Sequence, residues 1–210
     1  MFTGIIQQQG KITKVGKNGP ITVITIEAPQ IAPAKKLGDS IAVDGACLTV
    51  VARIKDSFTV EVIPETMDKT IIGNYREGTE VNLENPLKYG DSLDGHAVQG
   101  HVDFVGKVEK VTSSGSKTME VTYPEEMNKY FALKGSVTVN GVSLTISKLG
   151  PKSFEVSLIP TTMKTTNLNA LKKGSVVNVE VDLLARYMER LLLNKAEQTT
   201  YDFLQERGSM

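Results

Sequence analysis

One spacing runs the length of this chain. Gly4, Gly10, Lys11, Gly45, Leu48, Thr49, Phe58, Pro64, Met67, Gly78 and Asn82 recur 96 residues later as Gly100, Gly106, Lys107, Gly141, Leu144, Thr145, Phe154, Pro160, Met163, Gly174 and Asn178, in order and without a gap. Chance yields a few such pairs. An ordered series with Gly, Pro and Asn at turn positions is the mark of duplication. The 210 residues are therefore read as two like domains of common size, 1–96 and 97–182, followed by an unrepeated segment 183–210.

Each copy reads as short β-branched runs cut by turn residues. In the first copy these are Gly10 to Val15, Ile21 to Ile26, Ser40 to Val43, Leu48 to Ile54, Ser57 to Ile63 and Glu80 to Leu83, and the second copy repeats them. Six short strands per copy predict an all-β fold of two tandem small barrels, since closure removes exposed strand edges. A sandwich of the same strands is the alternative. Two stretches depart from the pattern. Pro124 to Ala132 opens with Pro and two acids and predicts a short helix. Beyond Asp182, a potential N-cap, Leu184, Tyr187, Met188, Leu191 and Leu192 recur at helical spacing. The first copy has Pro86 at the equivalent of Asp182, so this helix lies outside the repeat and needs an apolar partner. That partner is either its own barrel or the same helix in other subunits.

Composition narrows the function classes. Twenty-four basic and 24 acidic residues cancel, which leaves no electrostatic footprint for nucleic acid or an anionic membrane. No apolar run approaches the length that spans a bilayer. Met1 to Ile6 reads as part of the folded body rather than as a leader, and the single cysteine, Cys47, fits a reducing compartment. A cytoplasmic location is the expectation.

Chemistry is sought where the copies differ. Asp44-Gly45-Ala46-Cys47-Leu48-Thr49 carries a thiol where Asn140-Gly141-Val142-Ser143-Leu144-Thr145 carries a hydroxyl. The plain alternative is that a small residue is needed after the turn. Gly95 to His101 (GHAVQGH) holds the only two histidines, opposite the start of the chain. Spacing i, i+5 puts them on opposite faces of a strand, and no cysteine or carboxylate cluster accompanies them, so no metal site is expected. Each histidine taken alone fits a structural role. Lys134 replaces Gly38 just before a strand, where a solvated lysine is the plain reading. Glu61 to Thr66 (EVIPET) and Ser157 to Thr162 (SLIPTT) each end a strand at proline and then offer hydroxyls, leaving free backbone groups for a flat polar ligand.

Taken jointly, MFTGII, DGACLTV, VIPET, GHAVQGHVD, VNGVSLTI, LIPTT and GSVVNVEVD resemble the riboflavin synthase family across essentially the whole chain. The resemblance implies two six-stranded Greek-key barrels, a C-terminal helix over residues 183 to about 196, and a homotrimer assembled through it. It implies dismutation of two molecules of 6,7-dimethyl-8-ribityllumazine, by transfer of a four-carbon unit, to riboflavin and 5-amino-6-(ribitylamino)uracil, with no cofactor and no metal. One lumazine sits on each barrel, and the productive site lies between the first barrel of one subunit and the second of its neighbour. Lumazine synthase is the further partner this implies.

By the same resemblance, Gly4, Ile5, Ile6, Cys47, Leu48, Thr49, Glu61, Val62, Ile63, Pro64, Glu65 and Thr66 are expected to line the first-barrel pocket. Gly100, His101, Val102, Lys134, Ser143, Leu144, Thr145, Ser157, Leu158, Ile159, Pro160, Thr161 and Thr162 are expected to line the second. His101 is expected to move a proton or orient an added nucleophile. Ser143, Thr145 and Cys47 would hydrogen-bond or add water at the ring, with Ser40, Lys134 and Asp182 as polar partners at the subunit junction. A non-catalytic lumazine- or flavin-binding antenna protein is the rival from another class. A flavin-dependent reductase lacks its Gly-rich nicotinamide unit.

Overall fold

The computed structural model describes residues 1–112 and 117–193. Strands β1 (Gln8–Asn18), β2 (Ile21–Glu27), β3 (Ser40–Val43), β4 (Ala46–Ile54), β5 (Ser57–Val62) and β6 (Glu80–Glu84) close into a barrel in the order β1-β2-β5-β4-β3-β6. The second copy supplies β7 (Phe104–Thr112), β8 (Lys117–Thr122), β9 (Ser136–Val139), β10 (Val142–Leu149), β11 (Ser153–Leu158) and β12 (Val176–Val181), closed in the equivalent order. All pairings are antiparallel, and the sandwich alternative falls. Even the bulges repeat: register slips after Ile12 and Val50 recur after Val108 and Ile146.

Strict alternation fills each barrel. Phe58, Val60 and Val62 of β5 point inward, as do Phe154, Val156 and Leu158 of β11, all essentially without exposure. At the exit of these strands a proline opens a short helix, α1 (Pro64–Lys69) in the first barrel and α2 (Pro160–Thr165) in the second. Proline is suited to that first helical position because its missing N–H would be unpaired anyway. Pro124 to Ala132 is narrower than expected, a 3-10 helix at Glu125–Tyr130.

The barrels meet across a pseudo-twofold seam built from their β-hairpin turns. Asp44-Gly45 and Asn140-Gly141 both adopt positive φ, the requirement of a two-residue hairpin turn. Gly45 and Gly141 lie face to face, and a Cβ on Gly45 would stand 2.7 Å from the Gly141 nitrogen. Asn82 Nδ2 donates to the Asn140 carbonyl at 2.9 Å and Asn178 Nδ2 to the Asp44 carbonyl at 2.8 Å. Asn178 Oδ1 accepts from Ile71 N, and Asn82 Oδ1 accepts from Asn167 N. The symmetry breaks at one buried group. Asp44 accepts from Tyr75 O–H (2.6 Å), Asn82 N (2.8 Å) and Asn167 Nδ2 (2.9 Å), where the other copy has Asn140, Leu171 and Ile71. Burial pushes the Asp44 carboxyl up to about 6, against the pull of these three donors.

The C-terminal helix, α3, is described over residues 183–193. Asp182 is its N-cap, with Oδ1 accepting from Leu184 N at 3.0 Å. Polar contacts tie α3 to its own barrel: Arg186 to Asp103, and Glu189 to Lys129 and Tyr130. Its apolar residues Leu184, Tyr187, Met188, Leu191 and Leu192 stay more than half exposed, so the barrel does not bury them. The expected extension to residue 196, and Thr199 to Met210, lie outside the described residues.

Candidate functional site

The lead segments of the two copies, ahead of β1 and β7, cross the seam. Phe2 N donates to Val98 O (2.7 Å) and Val98 N to Phe2 O (3.1 Å), which pairs the segments antiparallel between the barrels. Phe2 is fully buried there with Ala42 and Val98. Beyond this bridge each segment reaches the other copy's turn. Gly4 O accepts from Ser143 N at 2.8 Å, and Gly100 O accepts from Cys47 N at 2.8 Å. A Cβ on Gly4 would lie 2.6 Å from Ser143 Cβ, and one on Gly100 2.6 Å from Cys47 Cβ, so no larger residue reaches so close.

Each lead segment is held from its own barrel by a glutamate. Glu84 accepts from Thr3 N (2.6 Å), Thr3 Oγ1 (2.7 Å) and Gly4 N (3.0 Å). Glu180 accepts from Gln99 N (2.6 Å), Gly100 N (2.9 Å) and His101 N (2.9 Å). Burial raises both carboxyls, that of Glu180 to about 7, while the N–H donors oppose it.

The sequence-based grouping is corrected by this crossing. Gly100, His101 and Val102 wall a cavity of about 250 Å³ together with Cys47, Glu65 and Thr66 of the first barrel. Gly4, expected in the first-barrel pocket, sits against Ser143 of the second. Lys69 adds an ammonium to the first cavity through its ion pair with Glu65 at 2.8 Å, and Thr161 and Thr165 replace that pair in the second copy. Cys47 and His101 are exposed at this cavity, and Thr49, Glu61, Ile63 and Pro64 are exposed on the strands and strand exit that carry it. Leu48 and Val62 point into the barrel core and act as supports. Ser40 pairs with Thr49 across β3 and β4 and lends its carbonyl to the buried ammonium of Lys35 at 2.7 Å.

Around Ser143 the second barrel assembles a different set. His96 Nδ1 lies 2.7 Å from Ser143 Oγ, and its backbone N donates to Thr3 O at 3.1 Å. His96 is 8% exposed, and burial lowers its pKa, with the nearby Asp182 carboxylate partly offsetting. A neutral imidazole beside a serine hydroxyl can take its proton. Thr145 follows Ser143 on the same strand, and Ile6 packs against the core of this barrel. Ile5 is exposed and lines a separate cavity with Thr3, Gln7 and Glu84. Lys134 is exposed at φ 68°, and its N–H donates to Ile146 O at 3.0 Å. Ser157, Ile159, Pro160 and Thr161 are exposed at the end of β11, Thr162 is half-buried, and Leu144 and Leu158 are core. Among the described residues, no cluster of His, Cys, Asp or Glu is built to hold a metal.

Residue-type reasoning missed three parts of this arrangement. His96 reads as a structural histidine in the sequence because its partner lies 47 residues away. Phe2 gives no chemical signal. Glu84 and Glu180 do give one: Val-Asn-x-Glu stands at the 96-residue spacing in both copies, an acid in a strand otherwise turned inward.

A family model for the lumazine binding domain matches twice, over residues 3–86 and 99–182, so each match coincides with one barrel. Riboflavin synthase of Actinobacillus pleuropneumoniae is 38% identical, over 99% of this chain and 100% of its own length. The chain belongs to the riboflavin synthase family. Other riboflavin synthases are similarly related: that of Mycobacterium tuberculosis is 43% identical over 91% of this chain and 98% of its own length, and that of Bacillus subtilis 40% over 99% and 100%. Among solved structures, LumP complexed with 6,7-dimethyl-8-(1'-D-ribityl) lumazine has a TM-score of 0.78 at 27% identity, covering 86% of this chain and 99% of that one. LumP complexed with flavin mononucleotide has a TM-score of 0.77 at 28% identity over the same shares. Membership in the family accounts for the doubled barrel.

Proposed function

We propose that this protein is a riboflavin synthase, which dismutates two molecules of 6,7-dimethyl-8-ribityllumazine into riboflavin and 5-amino-6-(ribitylamino)uracil by transfer of a four-carbon unit. The two products together contain the atoms of the two substrates, so the reaction needs no external oxidant or reductant. The observation that carries the reading is that both turns are equipped: Cys47 with His101 in the first barrel, and Ser143 with His96 in the second. A carrier of a single ligand needs only one of them.

The reaction asks for two heterocycles held in near-attack geometry and for a modest base, because the C7 methyl anion of the lumazine delocalises into its electron-poor ring. In this reading the units are 1–96, 97–182 and 183–210, and each barrel takes one lumazine against the strand exit at Pro64 or Pro160. Neutral His96 accepts the Ser143 proton as that hydroxyl adds to, or hydrogen-bonds, the ring on the second barrel. His101 serves the ring beside Cys47. Thr49 and Thr145 hold the polar edges, and Ser40, Lys134 and Asp182 meet the neighbouring subunit. The exposed apolar face of α3 supports a homotrimer, in which the first barrel of one subunit faces the second barrel of the next. Lumazine synthase, as the source of the substrate, is the further partner. A cytoplasmic setting agrees with the free, exposed thiol of Cys47.

The test is to mix the purified protein with the dimethyl-ribityl-lumazine alone and follow riboflavin absorbance. Riboflavin should appear without any added cofactor. Binding with no riboflavin formed leaves only the antenna reading. In parallel, truncation before Ala185 should give monomers in sedimentation, and a surviving trimer refutes assembly through α3.

A further inference from the structure

The segment that walls the first-barrel cavity, residues 99–103, is anchored at two points. Glu180 holds three of its N–H groups. Further along, the Asp103 side chain is only 4% exposed. Its Oδ2 accepts from Val181 N at 2.7 Å, and Oδ1 is paired with Arg186 on α3. The first copy builds the same corner without charge: Gln7, 96 residues earlier, accepts from Asn85 N at 3.1 Å, and no helix follows there.

The second copy therefore has a carboxylate where a neutral amide suffices. Its counter-charge comes from outside the repeat. A buried carboxylate is costly unless paired, so the seating of residues 101–103 is conditional on α3 being docked. The other polar contacts of α3 leave Arg186 free for this task. Glu189 is taken up by Lys129 and Tyr130, and the guanidinium lies over the Tyr130 ring at 5.5 Å.

We infer that Arg186 is a positioning residue: by docking α3 onto Asp103 it holds His101 and Val102 in the wall of the first-barrel pocket, so that this pocket is complete only when the helix is seated. The consequence for turnover rests on the riboflavin synthase reading. An assembly that closes over α3 then also sets the pocket, and a loosened helix loosens His101.

Three variants test this in the full-length protein: R186M, which keeps an apolar stem; R186K, which keeps a charge; and D103N/R186M, which adopts the neutral corner of the first copy. R186M should lose about ten- to a hundredfold in kcat, the range that misplacement of a catalytic group produces, with a smaller change in KM. R186K should restore part of the loss. The double variant should recover most of it, because the asparagine introduced by D103N still accepts from Val181 N and no longer needs a counter-charge. Amide exchange at Gln99, Gly100 and His101 should quicken in R186M and return in the double variant. Wild-type kcat in R186M overturns the inference, as does a double variant no faster than R186M, or a loss that follows dissociation in sedimentation and is not rescued by D103N. Should the wild type make no riboflavin, the catalytic reading fails, and the exchange data alone decide the inference.

Discussion

Replacing Asp44 by asparagine should flatten the pH dependence of stability, by an amount the seam specifies. Asp44 is wholly buried, and its carboxyl is raised from 3.8 to about 6. A folded-state pKa above the unfolded one means that the folded protein favours the protonated form. The contribution is therefore fully present below about pH 4 and is lost as pH rises through about 6. At about 1.4 kcal/mol per pH unit, the loss amounts to about 3 kcal/mol. Asparagine cannot ionise. It also fits the site, because Asn140 occupies the equivalent turn at φ 46° against 44° for Asp44. The substituted side chain would keep Oδ1 for the Asn82 N–H, and its amide could donate to Tyr75 in place of accepting from it. The assay is urea unfolding of wild type and D44N at about pH 4 and about pH 8, at one protein concentration so that assembly contributes equally. Glu84 and Glu180 titrate in both proteins and cancel in the comparison. The stability of D44N relative to wild type should rise by about 2.5 kcal/mol between the two pH values, since at about pH 4 the unfolded carboxyl is already partly ionised. A relative stability that does not move with pH, at unchanged m-value, refutes the burial argument.

The remaining expectations concern the pockets and the seam. S143A should lower kcat by about 10²- to 10⁴-fold, the usual worth of acid–base assistance, and titration of ligand fluorescence should find binding nearly unchanged; a mutant with full turnover removes Ser143 from the mechanism. E180Q keeps one acceptor oxygen and turns the other into a donor that opposes one or two of the three N–H groups, at a cost of about 1–3 kcal/mol for each group left unsatisfied. It should weaken ligand binding at the first-barrel pocket even though Glu180 belongs to the second barrel, and equal weakening at both pockets in titrations resolved by site contradicts the crossing. G141A places a methyl 2.6 Å from Gly45 N, in a left-handed turn that alanine resists. It should destabilise the seam by about 1–3 kcal/mol, visible as a lower midpoint in thermal unfolding.

The architecture was legible because duplication doubles every signal. Strand periodicity, the Asp44-Gly45 and Asn140-Gly141 turns and the proline exits all appear twice at one spacing, so a misreading in one copy is checked by the other. The crossing of Gly4 and Gly100 was not legible, since a 96-residue register is identical whether each lead segment returns to its own barrel or passes to the other. His96 was hidden for a related reason. It stands five residues before His101, whose counterpart is Ile5, so nothing in the first copy exists to compare it with. Asp44 was concealed by its own turn propensity. Asp and Asn are equally good before Gly in a hairpin, and only the packed seam distinguishes a buried acid from a neutral amide.

The seam has a meaning beyond holding two barrels together. Asn82 meets the Asn140 carbonyl as Asn178 meets that of Asp44, and Gly4 meets Ser143 as Gly100 meets Cys47. Contact i to j returned as j to i is the signature of an isologous interface, so this single chain carries within itself the join of a homodimer. A dimer of identical chains must hold two equal pockets, and any substitution alters both. Once the two are one chain, Cys47 and Ser143 are free to differ, and a reaction between two identical molecules acquires two unlike hosts.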